Sequence, residues 1–450
     1  MSQASTSPKN LTIILPSLRL FKSLNRSDIF SQILKEYRVS IVLPQMIKEE
    51  SYNFKYGNLY YYDENKLTQK ISKLVLDVET YEQRKINVSF ETRIRLLTLV
   101  PNSTDLSLLA NIKFKSKYGF ILSLLNAKLI RWFTRRPLRL AGSLSGSVKK
   151  VCENTNPDLI LCFSGGMYSG IENFVCRFGR KNRVPVFLAI DNWDNLSSKS
   201  ILWEKPTLLG VWGPEMAIDA MEFHGISQNS IVEIGSSRVD ISTTHQTVSE
   251  MHKMKPYVLF AGSGIQHIDE VEALLKFRVS LNKAGLNNVN VIYRPHPWML
   301  RGNSGVFDRR LVHTAGIEID SDIVANGEGS FYDPNSLTHL ESLVQNCEFL
   351  VAGHSTVIVE ALFHGKRVLA LSGSTHKLFP SGNSWAIYRH MARIATNPHV
   401  FMCENLDSLD DALKKLQDDS TQPTNFVPEL LPNFEFDYQT RLSQGLRKLL

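Results

Sequence analysis

Residues 349–372 read FLVAGHSTVIVEALFHGKRVLALS, and this stretch decides the fold. FLVA is a short apolar run that stops at Gly353, as a buried strand does before a turn. VIVEALF repeats apolar residues at helical spacing, Gly365 ends it, and Lys366 and Arg367 lie beside its C-terminus. VLAL is the next strand. Strand, Gly-Ser/Thr turn, helix and strand in this order predict a parallel sheet with a helix N-terminus at its carboxyl edge. Free N–H groups and the helix dipole at that edge favour a phosphate. Glu360 lies one turn further in, where a carboxylate can accept ribose hydroxyl protons. The competing interpretation is an ordinary strand-turn-helix of any α/β core.

Working outward, the chain alternates in the same manner. YVLFAG reads as a strand running into Gly262-Ser263-Gly264; 269–283 is a helix and VNVIYRPHP a strand. Residues 298–337 form a long variable segment, and LTHLESLVQNC leads as a helix into FLVAG. Upstream, LTIILPSLRL, RVSIVLPQ, DLILCF, VFLAI, LLGVWG and SIVEIG read as strands, while NLYYYDEN reads as irregular. The stretch 236–255 is polar and ends at Pro256, which makes it the best boundary. The expected class is α/β: two Rossmann-like doubly wound domains facing across a cleft. The expected domains are 1–240 and 256–430, with a C-terminal amphipathic helix in 431–450 returning to the first.

At 450 residues, two or three domains are expected. No apolar run approaches the ~18 residues of a membrane-spanning helix, and LTIIL is too short for a signal-peptide core. The five cysteines are scattered, with no C-x-x-C, so the expectation is a reducing cytoplasmic setting without disulfides or structural zinc. The net charge of +7 is unevenly placed. No acidic residue lies between Asp105 and Glu153, while that window carries ten lysines and arginines interleaved with Phe120, Trp132, Phe133 and leucines. Residues 106–152 therefore suit peripheral contact with an anionic membrane; a solvated basic helix face is the plainer alternative. No zinc-finger, RRM-type or helix-turn-helix signature supports a nucleic-acid partner.

Three further clusters carry chemistry. Arg294-Pro295-His296-Pro297 ends a strand, and its two prolines fix the backbone around His296. An imidazole and a guanidinium together can neutralise a diphosphate leaving group. Gly262-Ser263-Gly264 lets a phosphate or sugar approach the backbone, but it is not G-x-G-x-x-G, because position 267 is His, and there is no P-loop. DNWDNLSSK, 191–199, is the most polar strand end of the first half. Asp191 or Asp194 could act as general base toward an acceptor hydroxyl. Asn195 and Lys199, with Ser164 and Gly165 at the neighbouring strand end, could grip the acceptor. Helix capping and turn chemistry explain the same residues without function. No third ligand joins Asp191 and Asp194, so no metal is expected.

DNWDNLSSK, WGPEMAIDAMEFHGIS with IVEIGSSRVD, RPHP and AGHSTVIVEALFHGKRVLAL together resemble the two-domain GT-B glycosyltransferases of bacterial surface polysaccharide assembly. The likeness extends to the capsule, lipopolysaccharide and CDP-glycerol transferase-like groups, and it spans about 160 to 372. It implies sugar transfer from a nucleotide-sugar donor to a lipid-linked or polysaccharide acceptor at the inner face of the membrane, with no metal or cofactor. Arg294, His296, His354, Ser355 and Thr356 would then lie near the phosphates, and Glu360 near the ribose. One retaining group carries a second Glu eight positions before Glu360; here that position is Ala352. A sugar-nucleotide epimerase on the same fold, or a non-catalytic glycan-assembly subunit, is the alternative.

Overall fold

The structure is a computed structural model. It describes residues 8–18, 20–22, 29–48, 57–63, 136–137, 139–140, 146–164, 170–239, 256–263, 269–297, 314–326, 333–372, 388–420 and 425–450, with Trp385 and scattered positions in 70–89. Residues 106–135, most of the basic segment, and Gly165 lie outside the described residues.

The described strands form two sheets, parallel throughout. The first contains β1 (Lys9–Ile14), β2 (Tyr37–Pro44), β3 (Asn58–Tyr62), β4 (Leu159–Phe163), β5 (Val186–Ala189), β6 (Leu208–Val211) and β7 (Ile231–Glu233). Their order is β3-β2-β1-β4-β5-β6-β7. The second contains β8 (Tyr257–Ala261), β9 (Asn290–Arg294), β10 (Ile317–Ile319), β11 (Leu350–Ala352), β12 (Val368–Leu371) and β13 (Val400–Cys403), in the order β10-β9-β8-β11-β12-β13. Each order starts in the middle and winds outward twice. Strand direction of travel therefore reverses between β1 and β4, and again between β8 and β11, the points where such sheets take ligands.

The amino-acid pattern explains both sheets. LILCF of β4 and YVLFA of β8 are buried at every position. A strand with no polar face must be covered on both sides, which helices do. In the second unit Val258, Phe260, Phe277, Val351 and Leu369 share one core. There Phe260 meets the Tyr293 ring edge-on at 5.8 Å, and Phe277 meets Phe349 at 6.2 Å. In the first unit Gly179 lets helix Ile171–Asn182 approach β5, since a Cβ there would sit 2.6 Å from the Val184 carbonyl oxygen.

Two stretches differ from the sequence expectation. Residues 58–62 of NLYYYDEN are the edge strand β3, paired in parallel with β2 from Asn58 to Tyr62. Tyrosines favour a half-buried pleated surface, and their lack of apolar alternation hid it. The segment expected to be variable holds β10 and helix Ser321–Asn326.

The chain divides into two compact units, each built on one sheet. The first holds Met1–Leu20, Ile29–Ile234 and Gln439–Leu450; the second holds Phe21–Asp28 and Gly235–Tyr438. Helix Tyr438–Arg447 buries Leu442 and Leu446. Arg441 Nε donates to the Ile234 carbonyl at 2.8 Å and Arg447 Nε to Glu36 Oε2 at 2.9 Å. All five cysteines are buried free thiols. Among the described residues no helix is long and apolar enough to cross a membrane.

Candidate functional site

The loops after β8 and β11 meet at the switch point of the second sheet. Ser263 Oγ lies 2.5 Å from where a Cβ on Gly353 would sit, so the glycine lets the two loops touch without displacing that hydroxyl. Gly262 N–H donates to the Arg294 carbonyl at 2.8 Å. Ser263 N–H donates to Glu270 Oε1 at 2.7 Å, and Tyr293 Oη–H to Glu270 Oε2 at 3.1 Å. Burial pushes the Glu270 carboxyl up, against the lowering effect of these two hydrogen bonds. Asp269 caps the same helix by accepting from Val271 and Glu272 N–H, each at 3.0 Å. Glu270 and Tyr293 were not singled out in the sequence. Position 270 opens a helix seven residues after Ser263, and only the fold turns it back under the loop.

Arg294 ends β9 and is buried. Its Nη1 bonds Asp320 and lies 3.0 Å from Asp322 Oδ2. His339 Nε2 bonds Asp320 Oδ1 at 2.7 Å, and Ser336 Oγ donates to Asp322 Oδ1 at 2.6 Å. Burial works to raise both carboxyls. Hydrogen bonds from His339 and Ser336, together with the Arg294 charge, outweigh it and hold them below the usual carboxylate range. The guanidinium expected at the diphosphate is thus already balanced by two carboxylates, and it ties helices Ser321–Asn326 and Pro334–Asn346 to the strand end. His296, two residues on, is lowered to about 4 by burial and by the Arg294 charge. It is neutral at physiological pH, so it offers a hydrogen bond or a proton acceptor rather than a second cation.

His354 starts the turn after β11. Its ring lies 5.4 Å from the buried Trp385 and 6.2 Å, edge-on, from Tyr388. Ser355 and Thr356 are half-buried at the entry to helix Val357–Phe363. Glu360, on that helix, is buried, and Arg238 Nη2 approaches its Oε1 to 2.8 Å. The approach is a charge contact without hydrogen-bond alignment. Arg238 belongs to the GSSRVD run, yet no pattern in the sequence pointed it at Glu360.

At the first sheet's carboxyl edge, Ser164 Oγ accepts from Asp191 N–H at 3.2 Å and from Asn195 Nδ2 at 2.7 Å. Lys199 Nζ lies 2.6 Å from Asp194 Oδ2. Asn195 and Lys199, expected to grip an acceptor, thus hold the fold of residues 191–199 as well. Asp191 is half-buried at the strand end. Residues 195–199 form a π-helical turn, a form that recurs at functional sites.

His224 pins that turn from below. Its Nδ1 accepts from Leu202 N–H at 3.2 Å, so Nε2 carries the proton and donates to the Leu196 carbonyl at 2.7 Å. Burial chiefly lowers its pKa to about 4. The unfolded imidazole, near 6.5, takes its proton first, so this contribution to stability falls as pH drops from about 6.5 toward 4. Wild-type unfolding free energy is expected to drop about 2 kcal/mol more between pH 7 and pH 5 than that of His224→Gln. Urea unfolding at both pH values checks it; equal drops in the two proteins contradict it.

No family model matches the sequence, and no curated protein matches it. Among solved structures the chain is similar to the S. aureus MnaA–UDP co-structure, at 11% identity over 98% of this chain and 96% of that one, with a TM-score of 0.51. It is also similar to a Listeria monocytogenes protein proposed to be a UDP-N-acetylglucosamine 2-epimerase, at 10% identity over 98% and 97%, with a TM-score of 0.52. The kitacinnamycin glycotransferase aligns at 11% identity over 99% and 95%, with a TM-score of 0.49. The shared feature is the fold: the chain has two Rossmann-like domains of the GT-B type, as the MnaA–UDP and Listeria structures do.

Proposed function

We propose that the chain is a glycosyltransferase that uses a nucleotide-sugar donor. The observation that carries it is the contact between the Ser263 loop and Gly353 at the switch point of the second sheet, just ahead of the helix that bears the buried Glu360. An open α/β sheet takes a nucleotide at that point. Gly262, Ser263, His354, Ser355 and Thr356 face the diphosphate, and Glu360 accepts the ribose hydroxyls. Neutral His296 donates a hydrogen bond to the departing phosphate, and Arg294 holds the strand end that aims it.

Asp191 serves as base at the first sheet, in a turn shaped by Ser164, Asp194, Asn195 and Lys199. In an inverting transfer the acceptor oxygen attacks the anomeric carbon and its proton passes to the Asp191 carboxylate. The bond from anomeric carbon to phosphate oxygen breaks, and the nucleoside diphosphate leaves. The acceptor is a lipid-linked or polysaccharide surface glycan, reached at the cytoplasmic face of the membrane with the aid of the basic segment 106–152. The likeness to CDP-glycerol transferase-like, capsule and lipopolysaccharide enzymes belongs to this proposal.

Interconversion of free sugar nucleotides is the second reading, because the MnaA–UDP and Listeria structures carry the same fold. Incubation with UDP-N-acetylglucosamine and other sugar nucleotides, followed by NMR, separates the two. Nucleoside diphosphate release that requires added glycan supports transfer. A new sugar-nucleotide epimer formed without acceptor overturns it in favour of epimerisation.

A further inference from the structure

Granted the nucleotide site proposed above, we infer that Arg238 is a positioning residue for Glu360, and that the pair makes the site selective for ribose over deoxyribose nucleotides. The Arg238 and Glu360 side chains are 20% and 7% exposed. A carboxylate this buried needs a counter-charge, and a guanidinium is always charged. The contact is one-sided. Arg238 Nη2 lies 2.8 Å from Oε1 as a charge contact, and neither oxygen of the carboxylate carries a hydrogen bond among the described residues. The charge holds the carboxylate from the Oε1 side, and its hydrogen-bond acceptors stay available to a ligand.

The anchor itself is fixed. Arg238 stands on a tight turn closed by an antiparallel bridge between Ser236 and Val239. Its N–H donates to Ser236 Oγ at 3.1 Å, and both Ser236 and Val239 are buried. Gly235 enters the turn at φ +72°, a conformation that L side chains rarely adopt. The guanidinium therefore projects from a rigid base rather than from a mobile surface arm. A side chain locked by such a partner presents one geometry to its ligand.

Ribose brings two neighbouring O–H donors to a carboxylate. An anchored carboxylate receives both; a 2′-deoxy sugar supplies one and leaves a buried acceptor unpaired. Sites built to bond a hydroxyl reject the analogue that lacks it. A carboxylate free to rotate recovers the missing bond from water and loses that selectivity.

Calorimetric titration of the full chain with UDP, CDP, GDP and their 2′-deoxy forms tests the inference. Wild type is expected to prefer the ribonucleotide by about 20-fold. Arg238→Gln should bring that ratio within about threefold, mainly by weakening the ribonucleotide, and Arg238→Lys should restore part of it. Melting curves confirm that each variant is folded; Arg238→Lys keeps the charge and carries the test if Arg238→Gln unfolds. An unchanged ratio in the variants overturns the inference, as does tighter ribonucleotide binding by Arg238→Gln, which would make Arg238 a lock. Wild type that binds none of the six overturns the nucleotide site itself and the inference with it, so the two failures are distinct.

Discussion

Glu360→Ala is expected to weaken nucleoside diphosphate binding about 100-fold. Two ribose hydroxyls bonded to a carboxylate contribute about 3 kcal/mol between them, since each charge-assisted bond nets about 1.5 kcal/mol or more. Removing the side chain removes both. The effect on folding is smaller, because the orphaned Arg238 is one-fifth exposed and regains water; about 1 kcal/mol is expected. Calorimetric titration against wild type reads the difference. An unchanged dissociation constant would contradict the ribose role of Glu360.

Gly262→Ala is expected to cost as much in binding and more in stability. A Cβ at 262 would lie 2.6 Å from Glu270 Oε2, 2.9 Å from the His296 nitrogen and 3.0 Å from Pro295 Cα. Two of these three atoms are backbone, in a stretch stiffened by Pro295 and Pro297. The third belongs to the buried carboxylate that holds Ser263 N–H. Every route of relief moves either the His296 strand end or the Ser263 loop. Overpacking of this kind costs about 1–3 kcal/mol, and nucleotide affinity should fall about 100-fold with it. Gly353→Ala is the internal control. Its Cβ meets chiefly the Ser263 hydroxyl, which rotates, so a loss of roughly tenfold is expected. Urea unfolding and titration of both variants check the ranking; Gly353→Ala proving the more damaging would contradict it.

Much of this site is legible in the linear sequence for a simple reason. Parallel strands buried on both faces are continuous apolar runs, and the turn after each is marked by glycine. Gly262, Gly353 and Glu360 all follow from that punctuation. The parts that escape it are contacts between residues far apart in the chain. Glu270 reaches Ser263 only because its helix turns back under the loop. Arg294 reads as a free cation until β10 and helix Ser321–Asn326 bring Asp320 and Asp322 beside it, and both came from a stretch without recognisable period. His224 sits on a helix whose sequence says nothing about the Leu196 and Leu202 backbone it holds. β3 was hidden because its tyrosines do not alternate with polar residues.

The consequence for chemistry is a division of labour at the second sheet. Arg294, a charge that looked available, and Glu270 are committed to holding strand ends and loops. The groups left at the edge are a neutral imidazole, glycine backbones and a carboxylate anchored on one side. On the function proposed above, such a site would recognise its nucleotide mainly by shape and hydrogen bonding.

The most direct measurement is thermal unfolding of wild type and Glu360→Ala with UDP, GDP, CDP, CMP and dTDP. A ligand that binds only the folded state stabilises it by about 2.7 kcal/mol at 100 times its dissociation constant. One nucleotide should raise the wild-type melting temperature by a few degrees and leave Glu360→Ala unmoved. No shift of wild type with any of the five at millimolar concentration would contradict a nucleotide site at the edge of the second sheet.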